Sequence, residues 1–207
     1  MAKGINYYIL DSETSGLSEK IHEVVEISII RAIDKMQLTQ TIRAEHPETA
    51  SIDALRITGK TLHDIKQGMS KEEAVKEFED FLSEDGSTPN GRCIIAHNQP
   101  FDMRFLHKLW DKCNKDFPAN LWIDTIQLTK DYQKKNGLKG SAKLASACDL
   151  MGIKKVAGLH NAKSDTRNCY LLWKKFMDAG IDHLQFIKNI PHREIEEDPN
   201  DLMEESD

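Results

Sequence analysis

Residues 7–17 read YYILDSETSGL and set two carboxylates, Asp11 and Glu13, two positions apart at the end of an apolar run. Strand side chains two apart share a face, so both charges would emerge together at the strand's exit. A carboxylate held against apolar surface costs free energy unless something compensates it. Two unit charges about 4 Å apart repel by roughly 4 kcal/mol at an effective dielectric near 20. A cation removes that repulsion, and an oxygen-rich set without cysteine or paired histidine favours Mg²⁺ or Mn²⁺ over Zn²⁺. Two solvated turn residues would give the same D-x-E spacing, so this stretch alone leaves both readings open.

Two further stretches carry candidate groups. In AHNQPFDMRFL, Asp102 follows a short apolar run and opens a helix, where a carboxylate can also serve simply as a charge against the helix dipole. In HNAKSDTRNCYLLW, His160 stands in a loop five residues before Asp165, which falls in the first turn of a helix. A lone loop histidine is ordinarily a surface residue. With an unperturbed pKa of about 6.5, however, an imidazole can also accept a proton from water at neutral pH.

The elements that would position these groups are visible in the periodicity. Residues 6–12, 23–30 and 36–45 read as strands with short polar connections, an antiparallel meander of three. Ser70 and Glu73 form a capping box at the head of a helix over 71–83, with Ala74, Phe78, Phe81 and Leu82 on one face. RCIIAH has the continuous apolar character of a strand buried on both faces. A helix over 101–113, a short strand at LWIDT, a helix capped by Asp124 or Thr125, and helices near 141–151 and 164–179 follow, with Gly152 and Gly180 as stops. Hairpins first and alternating strands and helices later predict an α/β fold around a mixed sheet, with helices on both faces and a site at the strand carboxyl ends.

D-x-E-T-x-G-L, H-N-x-x-F-D-x-x-F-L and H-x-A-x-x-D, in this order and at these separations, resemble the three motifs of the DEDDh 3′–5′ exonucleases, the family that includes the proofreading subunits of replicative DNA polymerases. The resemblance spans residues 6–180 and extends to Glu26 in the second strand and to the IDALRITGKTLHDI segment. Ser15, where threonine is commoner, and Thr166, where alanine is usual, depart from the pattern but leave the acidic groups intact. The resemblance implies a ribonuclease H-like mixed sheet. It further implies two divalent cations, Mg²⁺ or Mn²⁺, held by Asp11, Glu13, Asp102 and Asp165, with His160 as general base. By the same similarity Thr14, Gly16 and Leu17 would meet the terminal nucleotide, and Asn98 and Phe101 would line its pocket. Phosphodiester hydrolysis asks for this set, because charge must be stabilised on both the attacking and the leaving oxygen. Hydrolysis from the 3′ end of single-stranded or frayed DNA, releasing nucleoside 5′-monophosphates, is the expected activity. An exoribonuclease of the same family and a polymerase-associated binding module are the alternatives, since only ribose contacts separate DNA from RNA.

Composition bounds the setting. The chain has 207 residues, 39% hydrophobic and 30% charged, with a formal net charge of −6. That balance argues against coating long nucleic acids by bulk electrostatics, but not against gripping a few nucleotides at a 3′ end. Much of the excess lies in REIEEDPNDLMEESD, eight acidic residues against one arginine. We therefore expect an exonuclease domain over 1–182 and an acidic tail over 183–207, largely disordered from about 190. LQFIKNI, just after 182, reads as a last helix packed on the domain, with a short docking segment that shares Leu184, Ile187 and Ile190 on one face as the alternative. No apolar run approaches the roughly 20 residues that span a bilayer, and no signal pattern or cysteine pairing stands out, so a cytoplasmic protein without membrane contact is expected. A DNA polymerase or another replication or repair protein is the expected partner class.

Overall fold

A computed structural model describes residues 4–156 and 161–191. The strand that carries Asp11 and Glu13, β1 (Asn6–Thr14), lies in the middle of the sheet. It pairs antiparallel with β2 (Val24–Arg31) and parallel with β4 (Arg92–Ala96). Beyond β2 lies β3 (Gln37–Thr41), and beyond β4 lie β5 (Leu121–Asp124) and the two-residue β6 (Lys188–Asn189), giving the order β3-β2-β1-β4-β5-β6. The mixed sheet, its three-strand meander and helices on both faces are those the sequence predicts.

Alternation along β1 divides the interior into two cores. Tyr8 and Leu10 face one layer, with Phe78 and Leu82 of α3 (Lys71–Ser83) and Phe105 and Trp110 of α4 (Gln99–Asp111). Tyr7 and Ile9 face the other, with Leu128 of α5 (Thr125–Lys135), Cys148 of α6 (Leu144–Leu150), and Leu172 and Phe176 of α7 (Ala162–Asp178). β4 is buried along its whole length, because both of its faces are covered. Cys93, Cys148 and Cys169 are buried free thiols.

Local signals set the helix ends. The Ser70 hydroxyl accepts from the Glu73 N–H and the Glu73 carboxylate accepts from the Ser70 N–H, closing the capping box. Asp124 caps α5 through the Ile126 N–H at 2.9 Å. Two short helices, α1 (Ile52–Thr58) and α2 (Asp64–Gln67), are not expected from periodicity. In α1 Ile52 and Ile57 point outward, 84% and 54% exposed, while Leu55 packs inward, so no amphipathic pattern announces the helix.

The packed body continues past residue 182. Residues 183–186 form a 3-10 turn, β6 pairs with β5, and Ile190 is buried in the α3/α4 core, its N–H donating to the Asn120 carbonyl at 2.7 Å. Residues 192–207, on which the expected disorder falls, lie outside the described residues. Among the described residues no helix is long and apolar enough to cross a membrane.

Candidate active site

Asp11 and Glu13 are odd-numbered residues of β1 and share the face that α7 covers. Asp165, in the first turn of α7, comes down on the same face. One carboxylate oxygen from each of Asp11, Glu13 and Asp165 lies within 4.8 Å of the others. Immediately after Glu13 the pairing with β2 shifts register, Glu13 opposing Glu26 and Thr14 opposing Val24. A bulge at this point bends the strand and increases its twist beside the acidic groups.

Asp102 arrives from the opposite layer, on α4, and is 4% exposed. Ser12, whose side chain points away from Asp11 and Glu13, donates to Asp102 Oδ1 from its backbone N–H at 3.1 Å and from its hydroxyl at 2.7 Å. Among neighbouring charges Asp102 acts most strongly on Asp11, ahead of Glu13 and Asp165. The four carboxylates therefore form one electrostatic group, although only three share the tight oxygen cluster.

Burial, followed by repulsion among these neighbours, pushes the Asp11 carboxyl well above the usual carboxylate range. Glu13 is pushed up to about 7, first by burial and then by Asp165 and Glu26, with Lys60 pulling the other way. Burial raises Asp102 to about 7 against the two Ser12 hydrogen bonds, which hold it down. Three converging carboxylate oxygens with no cysteine or histidine among them fit a hard divalent cation.

Glu26, to which the family resemblance extends, supports this arrangement through partners that the sequence does not show. It is 7% exposed. Its Oε1 accepts from the Ala162 N–H at 3.1 Å, the first residue of α7, and its Oε2 receives the Lys60 ammonium. Lys60 reaches Glu26 because Gly59 takes the left-handed conformation, φ 66°, and turns the chain out of α1. Glu26 thus anchors the helix end that presents Asp165. The two family departures also find partners: the Ser15 hydroxyl accepts from the Glu23 N–H at 3.0 Å, and the Thr166 hydroxyl bonds to the Ala162 and Ser28 carbonyls.

The expected nucleotide-contacting residues fall on the loop after β1 and at the start of α4. The Thr14 hydroxyl donates to the Gly16 carbonyl at 2.6 Å. Gly16 admits the His22 ring so closely that a Cβ there would stand 2.3 Å from it. Leu17 is 78% exposed. Asn98 is exposed, in the left-handed conformation at φ 76°, and its N–H donates to Asp124 Oδ1 at 3.0 Å. Phe101 is half-buried against Phe105, with ring centroids 5.1 Å apart. His160, the expected base, lies outside the described residues.

Known proteins place the chain in a family. The ribonuclease T-type exonuclease family model, described as "Exonuclease", matches residues 8–173. A DNA polymerase III of the PolC type from Thermotoga petrophila is 29% identical over 191 residues, 89% of this chain but 13% of that protein. Among solved structures, cell-death related nuclease 4 superposes with a TM-score of 0.72 at 14% identity, covering 84% of this chain and 64% of that one. Escherichia coli exonuclease I, solved with a dT13 oligonucleotide, gives a TM-score of 0.68 at 15% identity, covering 82% and 40%. The chain belongs to the exonuclease family, as a member of the DEDDh type with a ribonuclease H-like fold. Exonucleases of this kind use divalent metals. The chain spans about 13% of the length of the curated relatives it matches.

Proposed function

We propose that this chain removes nucleoside 5′-monophosphates one at a time from the 3′ end of single-stranded or frayed DNA. In this reading Asp11, Glu13, Asp102 and Asp165 hold two divalent cations, Mg²⁺ or Mn²⁺, and His160 is the general base. The observation that carries the reading is the convergence of Asp11, Glu13 and Asp165 on one point at the end of β1, with Asp102 pinned beside them by Ser12. When bound, two cations supply charge stabilisation to the attacking and leaving oxygens of an in-line displacement.

The protein's own groups do the remaining work. Ser12 fixes the Asp102 carboxylate, and Glu26 fixes the start of α7 and with it Asp165. His160 stands one residue before the helix cap Asn161, where it removes a proton from the attacking water. Thr14, Gly16 and Leu17 receive the terminal nucleotide on one side, and Asn98 and Phe101 line the other. A polymerase or another replication or repair protein is the partner class that the PolC-type relatives suggest.

The test is incubation of 5′-labelled single-stranded DNA, duplex DNA and RNA of matched sequence with Mg²⁺ or Mn²⁺. Progressive shortening of the single-stranded DNA, abolished by EDTA, is expected. Immediate release of labelled mononucleotide would overturn the polarity, full activity in EDTA would overturn the metal requirement, and faster shortening of RNA would overturn the choice of substrate.

A further inference from the structure

Residues 130–143, KDYQKKNGLKGSAK, carry five lysines and one aspartate in a chain whose net charge is −6. Lys130, Lys134, Lys135, Lys139 and Lys143 are all exposed. Lys135 pairs with Asp131 at 2.8 Å. Among the described residues, Lys130, Lys134, Lys139 and Lys143 have no ion pair.

The path of this segment relates the charge to the site. Asp124 caps the start of α5, and its carboxylate also receives the N–H of Asn98, which caps the helix that carries Asp102. Eleven helical residues carry the chain about 16 Å away at 1.5 Å per residue. Residues 136–143 then bring it back, and Lys143 lines a cavity of about 270 Å³ together with Asp11, His97, Lys155 and Asp165. The lysine-bearing segment thus ends at the cavity that Asp11 and Asp165 line, with four exposed lysines preceding Lys143 along the chain.

Stability accounts for only part of this charge. Lys134 and Lys135 lie in the last turn of α5, where cations favour the helix dipole. Lys139 belongs to no helix. Lys143 stands at the start of α6, the helix end that disfavours a cation, and makes no capping hydrogen bond there.

We propose that this return from α5 to α6 is the track on which the phosphate backbone of the substrate strand lies, 5′ of the linkage being cleaved. The proposal rests on the exonuclease reading above and adds where the uncleaved strand runs. Lys143 and Lys155 meet the phosphates nearest the carboxylates, and Lys139 and Lys134 meet those further out. Because the contacts are to phosphate, the track is indifferent to base sequence.

The test measures binding of a fluorescent 20-nucleotide single strand, its 3′ linkages replaced by hydrolysis-resistant phosphorothioates, in Mg²⁺ across a series of salt concentrations. Each lost phosphate contact on a single strand lowers the slope of log affinity against log salt by about 0.7. Lys134→Gln/Lys139→Gln is expected to weaken binding about tenfold and to lower the slope by about 1.4, two contacts' worth. Lys174→Gln/Lys175→Gln, on α7, should leave both unchanged. Wild-type affinity and slope in the first variant, with an unchanged melting temperature, would overturn the track. So would equal losses in both variants, which would signal diffuse attraction. Binding with the expected slopes but no cleavage of ordinary DNA would instead retire the exonuclease reading and leave the track standing.

Discussion

Ser12 gives both of its donors, backbone N–H and hydroxyl, to the same oxygen of Asp102, 90 positions away along the chain. The pair ties α4 to β1 at the point where Asp11 and Glu13 leave on the other face. Ser12→Ala removes a hydrogen bond to a charged group, worth about 1.5–3 kcal/mol. We expect turnover to fall about tenfold and Mn²⁺ to bind more weakly. Titration of Mn²⁺ into the variant, alongside single-turnover rates, checks this, and wild-type values in both would show that Asp102 needs no such restraint.

Metal stabilisation should depend on pH. The raised carboxyls of Asp11, Glu13 and Asp102 bind protons more tightly in the folded than in the unfolded chain. Below about pH 7 protons on Glu13 and Asp102 relieve the repulsion in the metal-free protein, and above it only a cation can. Loss of those protons destabilises the metal-free fold as pH rises through 7. The gain in melting temperature on adding Mg²⁺ or Mn²⁺ to EDTA-treated protein should therefore grow from pH 5.5 to 8. A gain independent of pH would show that the cation binds elsewhere.

Glu26→Ala leaves the Ala162 N–H without its partner and the Lys60 ammonium without its counter-charge. Breaking a buried pair from one side costs about 3–5 kcal/mol. Glu26→Gln keeps an acceptor for Ala162 and should recover part of the Mn²⁺ affinity lost in the alanine variant. Equal Mn²⁺ affinity in the two variants would mean that Glu26 does not hold α7 in place.

His160→Ala should lower kcat by about 10²- to 10⁴-fold, the usual contribution of a positioned base. It should leave the metal-induced rise in melting temperature intact, whereas Asp165→Ala should reduce both. Wild-type turnover by His160→Ala from pH 5.5 to 9 at saturating Mg²⁺ would reassign His160 to the surface.

Ending the chain at residue 182 should cost stability, because it strips β6 and the buried Ile190 from the α3/α4 core. Ile190→Ala alone should cost about 2–5 kcal/mol. Chemical denaturation reads both, and an unchanged midpoint would mean that residues 183–190 contribute nothing to the fold.

The parts of the fold that are legible in sequence are those whose pattern is local. Alternation along β1 places Asp11 and Glu13 on one face, and the Ser70 and Glu73 capping box fixes the start of α3. α1 escapes notice because Ile52 and Ile57 face outward and leave no periodicity. The partners of Ser12, Glu26 and Lys60 are equally silent, since each is brought near only by the folded sheet. Ser12 looks like a spacer in D-x-E until α4 delivers Asp102 to it. Lys143 looks like one lysine in a charged run until α6 sets it on the cavity that Asp165 also lines.

Asp11 and Asp165 lie at opposite ends of the folded chain, 154 positions apart, and their oxygens meet only once α7 has docked on β1. During synthesis at about 5–20 residues per second, roughly 8–30 seconds separate the two. Throughout that interval the nascent polypeptide carries half of a cutting edge and cannot close it.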